Sequence, residues 1–391
     1  MSHWKISALA FAACITHPAG AADAPAAPAG YNPDLALILS GTYSAQPTPA
    51  PEAAGFLRDP ARERIPAGFS LGESELTLSA NADDRYRGQL TAALAPEGTA
   101  TVEEAYIQTR DLPAGLIVRA GRFYSGVGYL NSQHAHVWDF ADAPLPYTTF
   151  LGGGYRDDGV QLRWLAPLDT FLELGAEAAR GEHWPAAQAP NQGRGSAAGY
   201  VHLGDDLGAN ASYRLGASLL RTQAYERPAS ELAGADTFSG TTRVAIYDFV
   251  WKWAPDGRPT ERQLKLQTEY LQRTERGEYV ADPLGAASAD AMSIRDSGRY
   301  TQLVYRFMPR WRIGVRDERL AQNHIAAGAN QAVLEAPGHR PQRTSLMLDH
   351  NRSEMSRLRL QWSRDRSEPK PASAFYLQYQ IAIGAHGAHQ Y

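Results

Sequence analysis

Cysteine is all but missing from this 391-residue chain: Cys14 stands alone, so no disulfide can form within it. Long hydrophobic runs are missing as well, since no stretch approaches the roughly 20 apolar residues that a helix needs to cross a bilayer. A helical membrane anchor is therefore not expected. Lysine is scarce: beyond Lys5 only Lys252, Lys265 and Lys370 occur, so arginine carries nearly all the positive charge. Its planar fork suits ion-pair networks in confined polar spaces better than an ammonium does. An excess of positive charge is lacking too, the net being −4, which argues against nucleic acid as a partner. No repeat of 20–50 residues is visible, which removes the solenoid and propeller readings.

What is present begins with a leader. Residues 1–21 read as a secretory signal: Lys5 supplies the charge, ISALAFAACI the short apolar core, and Ala19-Gly20-Ala21 the small-residue cleavage pattern. Residues 22–34 form a Pro/Ala-rich periplasmic linker, and residues 35–391 the main body. Lys5 is the only charged residue of the leader, so its removal makes the net charge one unit more negative.

From Leu35 onward, strand-like runs of about ten residues alternate with connections that are short, then long, then short again. LALILSGTY, RYRGQLTAAL, TRVAIYDFVWKW, SRLRLQW and AFYLQYQIAIG are examples. The tally is about sixteen, an even number, at a residue count per strand typical of bacterial outer-membrane barrels. The faces decide the class. Leu303, Tyr305 and Phe307 oppose Gln302 and Arg306, and Leu358, Leu360 and Trp362 oppose Arg357, Arg359 and Gln361. A soluble sandwich would alternate too, but here the chain is hydrophilic overall and ionised residues run along whole strands. That fits a barrel with lipid outside and a wet lumen inside. Tyr43, Trp164, Trp251, Trp253, Trp311 and Tyr376 suit interfacial girdles. The expected fold is all-β: a transmembrane antiparallel up-and-down barrel of about sixteen strands in the outer membrane, with tight turns on the periplasmic side.

Residues 122–158 form the third external connection, too long and too rich in aromatics to be an idle turn. They are expected to fold into the barrel mouth, with Pro144 and Pro146 as a rigid elbow and FLGGG as a flexible return. In this the chain resembles the general porins of Gram-negative outer membranes, whose long third loop narrows the pore. The resemblance covers the main body as a pattern, without motif residues. A second, local resemblance rests on NPDLALILSGTY, GFSLGESELTLSANADD, GYLNSQHAHVWDFADAPLPY and GAHGAHQY. These runs are similar to short proteobacterial outer-membrane proteins labelled zinc-regulated or TonB-dependent. That resemblance implies an outer-membrane location and a link to metal. It does not extend to an energised receptor, because too few residues precede the first strand to form a plug.

Several constellations carry chemistry. His134, His136, Asp139 and Asp142 fall close together in the long loop. Two histidines two apart on extended chain project to one side, and with Asp139 they offer nitrogen and oxygen donors suited to transient Zn²⁺ contact. The bland alternative is a pair of polar lumen residues. His386 and His389 in the tail read as polar residues beyond the closing strand. Between residues 297 and 365 stand twelve arginines against six carboxylates. Alternation turns Arg306, Arg310, Arg312, Arg316, Arg343, Arg357 and Arg359 inward. Glu73, Glu75, Asp248 and Glu269 are inward acids. Arg306, Arg312, Arg357 and Arg359 facing Glu73, Glu75 and Asp248 would set a transverse field that filters permeants by charge. Ser132 lies near His134, but no third member of a triad is identifiable, so an enzyme is not the expectation.

The function expected is therefore passive passage of small hydrophilic solutes or ions, with a link to divalent metal such as zinc. A plug-less receptor or adhesin barrel and an outer-membrane hydrolase are the alternatives. Expected partners are outer-membrane lipid, the barrel-assembly machinery and the permeants themselves, with a homotrimer open beside the monomer. No firm cofactor is expected beyond transient zinc.

Overall fold

The structure is a computed structural model that describes residues 33–95, 98–187, 194–229, 236–281, 287–335 and 338–384. The signal, all of the linker except its last two residues, and His386 and His389 lie outside the described residues.

Alternating faces dictate the architecture. On a strand successive side chains point to opposite sides, and where one side is apolar and the other charged, the sheet closes around the charged side when lipid surrounds it. Seventeen strand elements do this: β1 (Asp34–Ala45), β2 (Gly68–Leu71), β3 (Ser74–Asn81), β4 (Tyr86–Leu94), β5 (Ala100–Thr109), β6 (Leu116–Tyr124), β7 (Arg156–Leu165), β8 (Phe171–Ala179), β9 (Ser196–Leu207), β10 (Ala211–Pro228), β11 (Thr237–Trp253), β12 (Gln263–Ala281), β13 (Ser288–Met308), β14 (Trp311–Ala326), β15 (Gln342–Ser353), β16 (Ser356–Asp365) and β17 (Ala372–Gly384). Apart from β2 and β3, every neighbour in sequence pairs antiparallel, and β1 closes the ring on β17 from Ala36↔Gly384 to Ala45↔Phe375. β2 and β3 both pair with β1, at Gly41–Ser44 and Asp34–Ile38, so they are two halves of one stave. The barrel thus has sixteen staves, as the alternation implies, and no open edge.

The break in that stave has a local cause. A Cβ at Gly72 would come within 2.3 Å of Ser40 Oγ, and the Gly72 N–H donates to the Ser40 carbonyl while the Ser40 N–H donates to Ser74 Oγ. LGESELTLSA is therefore interrupted where a single strand was expected.

Strand lengths are uneven. The run from β10 to β14 spans 16 to 21 residues per strand, beyond the ten or so of the sequence reading, so the barrel is taller on this side. The outward faces keep the lipid pattern: Tyr247, Leu303, Leu358, Leu360 and Trp362 are exposed, while Arg359 and Gln361 between them are buried. Two residues depart from expectation. Tyr376 faces the lumen, where its hydroxyl donates to Gln46 Oε1. Arg310 sits exposed in the turn after Met308, where the strand ends and alternation no longer applies.

Inside, the barrel is filled over much of its section. Residues 125–155 fold inward and include a helix, α1 (Leu145–Leu151), where the sequence shows no periodicity; Gly152 at φ 66 closes it in the left-handed region. Val127, Leu130, Tyr147, Phe150 and Leu151 pack on the wall residues Leu220, Val244, Ile246 and Leu271. The first external connection, residues 46–67, also turns inward, and Phe56 meets Phe150 at 6.4 Å between ring centroids.

Candidate functional site

The site is the seat of the inserted loop. Its first half presents bases to an acidic wall. His134 Nδ1 lies 3.1 Å from Glu75 Oε2 and 3.2 Å from Glu103 Oε2, and His134 Nε2 lies 3.0 Å from Glu104 Oε2. His136 Nδ1 is 2.9 Å from Glu75 Oε1. Glu103 and Glu104 are adjacent yet both buried, which regular alternation forbids; a register shift between Thr91 and Ala92 of β4 opposite them marks a bulge that turns both inward. Burial opposes a charge on His134, but Glu75, Glu103 and Glu104 outweigh it and hold its proton well above the usual imidazole range. Both ring nitrogens facing carboxylates is the arrangement of an imidazolium.

The second half presents acids to a basic wall. Asp139 accepts from Lys265 Nζ at 2.9 Å, Arg312 Nη1 at 3.0 Å and Gln302 Nε2 at 2.9 Å. Asp142 accepts from Arg316 Nη2 at 2.8 Å, and its other oxygen forms an ion pair with Arg343 Nη1 at 2.9 Å. Burial raises both carboxyls, yet the neighbouring cations pull them below the ordinary range. Behind this half, Asp349 binds Arg312 and Arg359, and Glu318 joins Arg316, Arg343 and the Leu145 N–H. Arg357 and Arg359 donate to the Trp138 carbonyl. In the middle, buried Glu269 accepts from the Tyr129 and Leu130 N–H groups and from the Tyr147 and Tyr300 hydroxyls.

The residues singled out in sequence are thus distributed as follows. Arg306, Arg312, Arg357 and Arg359 all point inward, but toward carbonyls and carboxylates of the loop and wall: Arg306, which donates to the Pro309 carbonyl, Arg312 and Arg359 are buried. Glu75 meets both histidines. Glu73 lies with Glu75 and Glu103. Asp248 sits over Gly216, where a Cβ would be 1.9 Å from its Oδ2, and 3.5 Å from Arg214. The trio His134, His136 and Asp139 is not brought together: Asp139 belongs to the basic wall, and Glu75 takes its place beside the two histidines, with ligand atoms of Glu75, His134 and His136 all within 4.8 Å of one another. Asp139 lies past the short turn at Ala135–Val137, and the chain has crossed the lumen by then. Sequence reasoning passed over Glu103, Glu104, Glu318, Asp349 and Lys265. Inward parity would have found Glu318 and Asp349; the bulge hides the doubled acid.

Where the loop does not seal the wall, inward side chains stay half-buried. Arg87, Gln89, Tyr106, Gln108, Arg119 and Arg163 line this side along β4 to β7, with Arg119 stacked 4.1 Å from the Tyr106 ring centroid and bonded to Gln108.

A closed sixteen-stave barrel with a lipid-facing exterior and an inserted third loop defines an outer-membrane β-barrel of the porin type. The chain belongs to the same family as an uncharacterized protein of Aquifex aeolicus (strain VF5), to which it is 33% identical over 349 residues, 83% of this chain and 70% of that one. No family model matches. Among solved structures it is similar to OmpTdeltaL8, a loop-deletion mutant of OmpT, an outer membrane protein of Vibrio cholerae (TM-score 0.58, 10% identity, 90% of this chain and 99% of that chain). It is also similar to the anion-selective porin from Comamonas acidovorans (0.56, 12%, 90% and 99%) and to the outer membrane channel DcaP of Acinetobacter baumannii (0.53, 11%, 90% and 97%). At such identities the likeness is one of fold.

Proposed function

We propose that this barrel is a passive outer-membrane channel for small hydrophilic solutes or ions, with the permeant path along the β4–β7 wall. One observation carries the reading: the loop fixes itself to Glu75, Glu103 and Glu104 on one side and to Lys265, Arg312, Arg316 and Arg343 on the other, and leaves Arg87, Arg119 and Arg163 half-buried along a polar face beside the acidic anchor. Arginines on one side of a narrowed lumen favour anions over cations. This moves the selectivity role from Arg312, Arg357 and Arg359, which hold the loop, and from Arg306, which is buried against the Pro309 carbonyl, to Arg119 and Arg163. Planar-bilayer recording tests it: wild type conducts, and Arg119→Gln/Arg163→Gln lowers the anion-to-cation permeability ratio. No conductance from folded protein, or an unchanged ratio, sinks the proposal. Peptide or lipid turnover by the same preparation would favour a hydrolase, and cell binding without conductance an adhesin.

The finer reading concerns metal. Glu75, His134 and His136, with Glu73 and Glu103 beside them, offer a mixed nitrogen and oxygen donor set that fits Zn²⁺ or a similar divalent ion. The ion would replace the His134 proton, so binding is expected to release protons and strengthen as pH rises. Weak binding suits a permeant, because a closed ligand shell would block the path. Calorimetric titration of Zn²⁺ into wild type and His134→Ala/His136→Ala decides this: equal heats would remove the metal and leave the channel. A neighbouring structure of OmpT is described in trimer form, which supports testing this chain for a homotrimer by mass in detergent.

A further inference from the structure

Charged side chains on the outside of a barrel need a reason, because lipid offers them no partner. Four outward arginines lie together there. Arg221 of β10 stands directly opposite Arg243 of β11, Arg243 is paired with Thr274 of β12, and Thr274 with Arg295 of β13. Arg276, two residues along β12, pairs with Thr241. The six side chains line one surface depression of about 340 Å³. All four arginines are exposed, and the ion pairs of the described residues include none of them, although Glu278 is the next outward side chain on β12. Like charges set opposite each other across strands repel, so the row lacks a counterion.

Its height identifies the missing partner. Arg243 and Trp253 are ten positions apart on β11, and Arg295 and Tyr305 ten apart on β13. Trp253 and Tyr305 both pair with Leu264, near the tight-turn end. A tilted strand crosses the hydrocarbon in about 9–11 residues, so the arginines reach the opposite boundary, at the end with the long connections. That is the external leaflet, where lipid headgroups begin.

We propose that Arg221, Arg243, Arg276 and Arg295 form a binding site for the phosphate groups of an outer-leaflet lipid. Guanidinium forks bind phosphate oxygens in pairs, and Thr241 and Thr274 add hydroxyl donors between them. The lipid supplies the counterion and holds the tall β10–β13 side of the barrel at a fixed depth.

Native mass spectrometry of the detergent-solubilised protein tests this with diphosphorylated lipid A and the same lipid stripped of phosphate. Wild type retains the phosphorylated lipid, and both Arg221→Gln/Arg243→Gln and Arg276→Gln/Arg295→Gln weaken it by about tenfold or more. Arg258→Gln, an exposed arginine in a tight turn at the other end, leaves binding unchanged. Heat-dependent gel mobility reports whether each variant is folded, and the comparison of the two lipids on wild type stands even if a variant does not fold. The assignment is overturned if the phosphate-free lipid binds equally well, if folded double variants bind as wild type does, or if inorganic phosphate occupies the row at the concentrations that suffice for the lipid.

Discussion

The two ends of the inserted loop are seated by opposite chemistry. At one end His134 and His136 meet Glu75, Glu103 and Glu104; at the other Asp139 and Asp142 meet Lys265, Arg312, Arg316 and Arg343. The loop is therefore a dipolar strap whose bases face an acidic wall and whose acids face a basic one. The ends differ in permanence. Arginine and carboxylate stay ionised across the physiological range, whereas an imidazole gives up its charge within reach of it. The basic wall is a fixed anchor and the acidic wall a titratable one, and the half-buried path runs beside the titratable end.

The largest expected effect comes from breaking the fixed anchor. Glu318 is fully buried between Arg316 and Arg343 and caps the Leu145 N–H. Glu318→Ala leaves two buried cations short of a partner, a loss of about 3–5 kcal/mol. A lower denaturant midpoint in detergent and a noisier, larger conductance are expected; an unchanged midpoint would mean that the anchor is not where the loop is held.

His134→Ala strikes the other end. It leaves Glu75, Glu103 and Glu104 crowded with only Arg156 on Glu103 and His136 on Glu75 beside them, so roughly 1–3 kcal/mol is expected to be lost, with a shift of selectivity toward cations. Because Arg312 and its partners are untouched, hydrogen exchange should rise at residues 132–138 and not at residues 139–147. A uniform rise along the loop would contradict the two-anchor picture.

The smallest effect is with pH. His134 holds its proton more tightly in the fold than in the unfolded chain, so its contribution is complete below the unfolded value of about 6.5 and is lost as pH rises through the raised folded value. Asp139 and Asp142 hold theirs less tightly, so their contribution is complete above about 3.9 and is lost as pH falls through the lowered folded values. Protease protection of the loop should thus be greatest from mildly acid to neutral pH, and alkali should free the histidine end first. His134→Gln should flatten the alkaline limb and leave the acid limb; loss of both limbs would show that the ends are not independent.

The class of fold was legible because it rests on a local signal. Period-two alternation with apolar and ionised faces, as in Leu358 to Trp362, requires no knowledge of distant residues, and an even count with tight turns at one end leaves a closed antiparallel barrel as the solution in lipid. The same parity turned Arg312, Arg357, Arg359 and Glu75 inward. It could not decide what they meet. Whether an inward arginine lines water or clamps a loop depends on where residues 125–155 cross the lumen, and that is set by contacts between residues more than a hundred positions apart, such as Asp139 with Lys265 and Arg312. Nor could spacing along the loop reveal that Asp139 parts from the histidines, since the separation arises only when the chain has walls of opposite sign to reach. A bulge moves Glu103 out of parity, and residues 46–67 turn inward because Phe56 finds Phe150 there. The sequence by itself determined a barrel with charge inside; tertiary structure decided which charges are spent on holding the loop and which remain beside the path, because that choice is made by distances that no single strand contains.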